Sequence, residues 1–351
     1  MKYKLLSVSK FSLRRNSNIG VNIGDYIQAL ASSQFYPQID GFIDRDEELR
    51  EYNGDTTKLI ANGWYMHNPK QWPPSPKIKP LFVAFHINSV AKKELLSPES
   101  INYLKQYTPI GCRDTKTLDL LQNAGIESYF SGCMTLTLGY KYHSAERENV
   151  SYIVDPIYDG RLSLSSIAKA MTTILSHPFH IWDLIVKKRL DLQHGRNVIK
   201  NVLKIALYYK EYTKIFTPDV IINSEYISQD TNFYKNAFPD DKQRLLEAER
   251  LIKLYSRAKL VITSRIHCAL PCLGLETPVV YMKKHNDTES SICRLGGLID
   301  FFNCIEIEHG KLKPKFVTKF PISTSNLPIN KTNWKPYAES LISKCKHFIN
   351  E

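Results

Sequence analysis

The chain has 351 residues, enough by ordinary domain size for two domains with two well-buried cores. Apolar residues make up 43% and charged residues 23%, which excludes a disordered tail, a collagen and a coiled coil. Lys and Arg total 47 against 35 Asp and Glu, a formal charge of +12 that favours anionic partners.

From the N-terminus, Tyr3 to Val8 reads as a strand, and after the polar stretch Arg14 to Asn22 the segment GDYIQALASSQF places apolar residues at helical spacing. Lys58 to Ala61 and the all-apolar Leu81 to Phe85 read as further strands. A helix near Pro98 to Tyr107 leads to a strand at Pro109 to Cys112. DTKTLDLLQNAGI is then a helix closed by Gly125, and Ser128 to Phe130 another strand. This alternation predicts a parallel, doubly wound α/β lobe over residues 1–145. A polar boundary at Ser144 to Asn149 precedes a strand, Val150 to Val154, that opens a second α/β lobe over 146–320. It holds a helix at Lys242 to Arg257, strands at Leu260 to Thr263 and Pro278 to Met282, and a short helix at His267 to Leu273 between them. Residues 321–351 are a Pro-rich connection followed by an amphipathic helix, Trp334 to Ile349.

One segment breaks the rhythm. Between His180 and Phe216, apolar Ile181, Trp182, Leu184, Ile185, Val198, Val202, Leu203, Ile205, Ala206 and Leu207 alternate with Lys187, Lys188, Arg189, Arg196, Lys200, Lys204, Lys210 and Lys214. The pattern fits either a peripheral contact with an anionic membrane or a helix pair with a solvated basic face. No run reaches the roughly 20 apolar residues that cross a bilayer, and MKYKLLSVSK lacks a signal-peptide core, so a cytoplasmic location is expected. The seven cysteines, Cys112, Cys133, Cys268, Cys272, Cys293, Cys304 and Cys345, contain no C-x-x-C and read as reduced core thiols; no metal site is expected.

The most informative stretch is LVITSRIHCALPCLGLETPVVYM, where a strand runs through Ser264, Arg265, Ile266 and His267 directly into a helix. Ser264 is a natural N-cap, the helix start favours a phosphate or carboxylate, Arg265 adds a bidentate clamp, and His267 is placed to donate a proton. A second such junction joins PIGC to Arg113, Asp114 and Thr115. Ligands of open α/β sheets bind beyond the strand carboxyl ends, so an interlobe cleft would hold a small polyanion between Arg113 and Arg265. Asn22, Gly24 and Asp25 open the first helix, the glycine allowing close approach to a ligand and the carboxylate suiting sugar hydroxyls. Lys283, Lys284 and His285 follow the strand PVVYM and are placed for a phosphate contact, while Gly63, Trp64, His86 and Asn88 are candidates for an acceptor site.

Three stretches, NIGDYIQALAS at 22–32, PIGCRDTKTLDLLQNAGIESYFSGCMTLTL at 109–138 and AKLVITSRIHCALPCLGLETPVVYM at 258–282, together resemble the polysaccharide pyruvyl transferases, collinearly from about residue 18 to residue 300. The resemblance implies two Rossmann-like lobes in a GT-B-like arrangement, the first on the acceptor side and the second on the donor side. It implies transfer of the enolpyruvyl unit of phosphoenolpyruvate, as donor substrate and without a further cofactor, to a sugar as a cyclic ketal. The family's anion-binding residues fall on Arg113, Arg265 and His267, with Lys283 or Lys284 as the basic residue after the next strand. His267 is then the proton donor and Asp25 the base. Galactose of a surface or capsular polysaccharide precursor, in some members polyprenyl-diphosphate-linked at the inner face of the membrane, is the expected acceptor. A nucleotide-sugar glycosyltransferase of the same two-lobe shape is the alternative, with Glu225 or Glu276 near a ribose. No helix-turn-helix, zinc finger or RNA-binding motif supports a nucleic-acid partner.

Overall fold

Short apolar strands followed by amphipathic helices build two α/β sheets in the computed structural model, which describes residues 1–8, 10, 20–192, 197–285 and 294–351. The first seven strands are β1 (Lys2–Tyr3), β2 (Leu5–Ser7), β3 (Phe42–Asp44), β4 (Thr57–Tyr65), β5 (Ile78–Ile87), β6 (Ile110–Cys112) and β7 (Ser128–Phe130). Strands β1, β4, β5, β6 and β7 lie in that order in one parallel sheet, while β2 and β3 pair with each other beside it. The expected strand Tyr3 to Val8 is therefore two strands, which Lys4 splits between two sheets.

The remaining strands are β8 (Ser151–Val154), β9 (Glu225–Ile227), β10 (Leu260–Thr263), β11 (Val279–Lys284), β12 (Asn303–Glu308) and β13 (Lys311–Pro314). Their order is β13-β12-β11-β10-β8-β9, parallel except for the hairpin β12–β13.

The helices that matter below are α1 (Ile23–Ser33), α2 (Pro98–Lys105), α3 (Thr115–Asn123), α4 (Leu164–Ser176), α5 (Pro178–Trp182), α6 (Val198–Tyr212), α7 (Asp241–Arg257), α8 (Ile266–Gly274) and α9 (Lys335–Asn350). Side chains alternate across the C-terminal sheet as strand geometry requires. Leu260 and Ile262 of β10 face a core made with Ala170, Ile181, Leu184 and Ile205 of the α4–α6 layer. Val261 faces the other way, into a core that also takes Ile27 and Leu30 of α1, Val83 of β5, Leu270 of α8 and Leu341 of α9. The two sheets thus share one interior. Helix α9 returns to the N-terminal sheet, where the Lys58 ammonium donates to the Phe348 carbonyl at 2.6 Å.

The six described cysteines are buried and unpaired, and Cys293 lies outside the described residues. Among the described residues, no helix is long and apolar enough to cross a membrane.

Candidate active site

Beyond the carboxyl ends of β3, β4, β5 and β6, where α1 and α8 begin, the chain encloses a cleft of about 360 Å³, the size of a small-ligand site. Asn22 and Asp25 of the α1 start, Ile266 and His267 of the α8 start, and Arg113 after β6 all line it. Two helix N-termini therefore converge on one space, which favours a bound anion. Asn22 is the α1 cap, its side-chain oxygen accepting the Gly24 N–H at 3.0 Å.

Gly24 serves a different purpose from the close approach to a ligand that the sequence suggested. A Cβ on it would lie 2.5 Å from His267 Nδ1, so the missing side chain lets the imidazole of α8 seat against the α1 backbone.

Burial and charge set the electrostatics. Arg113 is 3% exposed, and its guanidinium donates to Gln28 Oε1 at 3.3 Å. The Gln28 amide turns its NH₂ the other way, donating to Asp25 Oδ1 at 3.1 Å, and so fixes cation and carboxyl relative to each other. Burial pushes the Asp25 carboxyl up, against the opposing pull of Arg45, Arg113 and His67. Burial, then Arg113 and Arg294, hold His267 well below the ordinary imidazole range, so the ring is neutral in the free cleft.

Sequence reading missed three titratable cleft residues, Arg45, His67 and Arg294, besides the Val8, Gly20, Thr231, Leu270 and Leu298 of its wall. Arg45 follows β3 and donates to Asp46 Oδ2 at 2.6 Å and to the Trp64 carbonyl at 2.5 Å, with its guanidinium 5.0 Å from the Trp64 ring. The signal was present in FIDRDEE, a charged residue directly after a strand, but the strand itself is only three residues long. Arg294 follows residues 286–293, which lie outside the described residues. Trp64 and Asn88, both expected near an acceptor, do line the cleft; Gly63 and His86 do not.

Several other expected residues are turned elsewhere. Asp114 is fully buried and has its oxygens occupied: it caps α3 by accepting the Thr117 N–H at 2.9 Å and accepts from His86 Nδ1 at 2.5 Å. It is absent from the cleft lining and acts on Arg113 through its charge. Burial and then Arg113 push His86 down to about 4, so this imidazole is neutral, with Nδ1–H aimed at the carboxylate. Ser264 is not the helix cap; Arg265 holds that position, and the Ser264 hydroxyl donates to the Asp155 carbonyl at 2.6 Å. The Arg265 side chain is half-exposed and ion-paired with the Asp155 carboxylate, outside the cleft wall. Lys283 and Lys284 lie at the end of β11, and neither lines the cleft. Glu225 pairs with Lys188 and Glu276 with Lys335, so neither carboxylate is placed for a nucleotide ribose in this cleft.

The sequence model of the polysaccharide pyruvyl transferase family matches residues 22–285, which contain every named cleft residue except Arg294. No curated protein matches the chain. Among solved structures, a functionally uncharacterised protein of Klebsiella pneumoniae covers 84% of this chain and 86% of its own at 13% identity, with a TM-score of 0.38. A likeness that weak carries no argument here. The family match spans most of the chain and both helix N-termini of the cleft, and on that ground the chain belongs to the polysaccharide pyruvyl transferase family and is a pyruvyltransferase.

Proposed function

We propose that the cleft binds phosphoenolpyruvate and transfers its enolpyruvyl unit to a sugar of a surface polysaccharide precursor, galactose being the expected sugar, to close a cyclic pyruvate ketal. One observation carries the reading: among the described lining residues, three guanidinium groups, Arg45, Arg113 and Arg294, and two imidazoles, His67 and His267, stand against one carboxyl, that of Asp25. A small trianion with a phosphate at one end and a carboxylate at the other complements that field. In this reading the two sheets are the two lobes of a GT-B-like fold, residues 1–145 and 146–320, with 321–351 returning across them. The setting is cytoplasmic.

His267 is neutral in the free cleft because Arg113 and Arg294 repel a proton there. A bound trianion offsets both cations, so the imidazole takes up a proton as the donor binds and passes it to the methylene carbon. The central carbon becomes cationic, a sugar hydroxyl adds to it, the carbon–oxygen bond to phosphate breaks, and a neighbouring hydroxyl closes the ketal as inorganic phosphate leaves. Asp25, with its raised pKa, is the stronger base for the hydroxyl proton. Arg113 and Arg294 stabilise the departing phosphate. Trp64, His67 and Asn88 offer the acceptor an aromatic face and polar edges. The scheme calls for no cofactor.

Arg265 joins the donor only if it leaves Asp155. The pair is half-exposed and costs about 1 kcal/mol or less to open, which the donor's charge exceeds. Asp155→Asn should then tighten phosphoenolpyruvate binding by less than about tenfold, and Arg265→Ala should loosen it.

Thermal-shift titration decides the donor. Phosphoenolpyruvate should raise the melting temperature of the wild type with concentration, and Arg113→Gln and Arg294→Ala should abolish the shift. Stabilisation by UDP-galactose alone would replace the pyruvyl donor with a nucleotide sugar.

A further inference from the structure

The helical layer outside the C-terminal sheet carries a surface that the cleft chemistry does not use. Residues 164–214 contain nine Lys or Arg against three Asp or Glu, so one-seventh of the chain holds half of the +12 net charge. Arg196, one of the nine, lies outside the described residues. Most apolar side chains in this stretch behave as an ordinary core: Ile181, Leu184, Ile205, Ala206 and Leu207 are buried against the sheet. The basic segment expected from His180 to Phe216 is therefore only partly a surface feature. What remains outside is a second apolar face, shifted toward the N-terminus.

On α4, Leu164, Met171 and Leu175 recur at intervals of seven and four, one stripe on the side away from buried Ala170 and Thr173. Leu164 is 89% exposed and Leu175 77%. On α5 and the turn Asp183–Lys187 that continues it, Phe179, Trp182 and Val186 recur at intervals of three and four, with Phe179 81% and Trp182 60% exposed. Val198 and Ile199, exposed at the start of α6, extend the patch. Among the described residues, half of the exposed large hydrophobic side chains thus stand on α4, α5 with the turn that continues it, and α6, where an ordinary surface scatters them singly.

Exposed Lys169, Lys187, Arg189 and Lys200 stand among them. The acidic groups nearby are Asp183, paired with Lys187 at 2.8 Å, Asp191, Glu211, paired with Lys214 at 2.6 Å, and Glu225, paired with Lys188 at 3.2 Å. The net field stays positive. A second copy of the chain meeting this face through a two-fold axis would set like charge against like charge. Duplex nucleic acid would leave the leucine and aromatic stripe without a partner. Aromatic and aliphatic side chains projecting through a basic rim match the boundary between anionic headgroups and acyl chains.

We propose that this face of α4–α6 docks peripherally on an anionic phospholipid surface, with Phe179, Trp182 and Leu175 entering the headgroup boundary and the lysines lying among the headgroups. The proposal stands independently of the donor assignment, because none of these residues lines the cleft.

The test is co-sedimentation of the full-length protein with phosphatidylcholine vesicles, with and without phosphatidylglycerol, at low and high salt. Binding is expected only with the anionic vesicles and should weaken as salt screens it. Two variants on exposed positions, Phe179→Ser with Trp182→Ser and Lys169→Glu with Lys200→Glu, should each weaken binding by about tenfold or more, with unchanged melting temperature. Brominated acyl chains should quench Trp182 fluorescence, and Trp182→Phe should remove the quenching, since Trp72 and Trp334 are buried and Trp64 stands in the cleft. Equal binding to neutral vesicles or none to either overturns the proposal. So does self-association in sedimentation equilibrium, or duplex DNA binding, that the same variants abolish.

Discussion

Gly24 and His267 show how narrow the tolerances beneath the cleft are. A methyl group on residue 24 would meet the imidazole at 2.5 Å, so Gly24→Ala must displace either ring or helix. Turnover should fall by about a hundredfold, because misplacing a reacting group by an ångström costs that much, and the melting temperature should drop by a few degrees as the buried site is overpacked. The proton on His267 offers a second measurement. Its pKa is held down in the free cleft and rises when an anion offsets Arg113 and Arg294, so donor binding takes up protons. Affinity for phosphoenolpyruvate should therefore fall as pH rises through the bound-state pKa. Calorimetry in two buffers of different ionisation heat reads the uptake directly. His267→Gln should remove both the uptake and the turnover while leaving binding within a few-fold; full turnover in this variant would remove the acid role.

Among the elements, α3 depends on a single buried residue. Asp114 caps the helix and holds the neutral His86, and its charge interacts with that of Arg113. Asp114→Ala should cost about 3 kcal/mol of stability, since it strips a cap and leaves a buried partner alone. Urea denaturation measures it. Because His86 is pushed down to about 4 from an ordinary 6.5, the unfolded chain binds the extra proton between those values. Stability is then complete above pH 6.5 and declines toward pH 4, and His86→Gln should flatten that slope. The long periodic elements were legible: the helix expected at Lys242 to Arg257 is Asp241–Arg257, and the strand at Leu260 to Thr263 is β10 without change. Short strands were legible where a helical pattern flanks them, as at Ser128–Phe130, and were missed at β3, β12 and β13. Strand β3 has three residues, and β12 and β13 read as IEIEHGKLKP, where His309 and Gly310 both take positive φ in the turn.

At the scale of the whole molecule, two glycines hold the sheets together. A Cβ on Gly139 would lie 2.0 Å from the Gly274 carbonyl oxygen, and one on Gly274 2.4 Å from that of Leu136. Backbone meets backbone where the end of α8 packs against residues 134–142. With the interior also shared between β5, β10 and β11, the protein should unfold in one calorimetric transition. Gly274→Ala should lower the melting temperature by several degrees, or split the transition in two, by prising the halves apart.

The sequence by itself determined the α/β class, the strand ends that carry Arg113 and the start of α8, and the motifs that mark the family. Periodicity and strand-to-helix junctions are local, and local propensity writes them into adjacent residues. It also located Asn22, Asp25, Arg113, Ile266 and His267, all of which the fold brings to one cleft. Only the tertiary structure decided which cations share that space. Arg45, His67 and Arg294 enter it from elements far apart in the chain, and Asp155 draws Arg265 out of it. It alone decided which side of the basic helices faces outward, because that depends on the sheet they cover. Long-range packing chooses among side chains that composition and spacing leave equivalent.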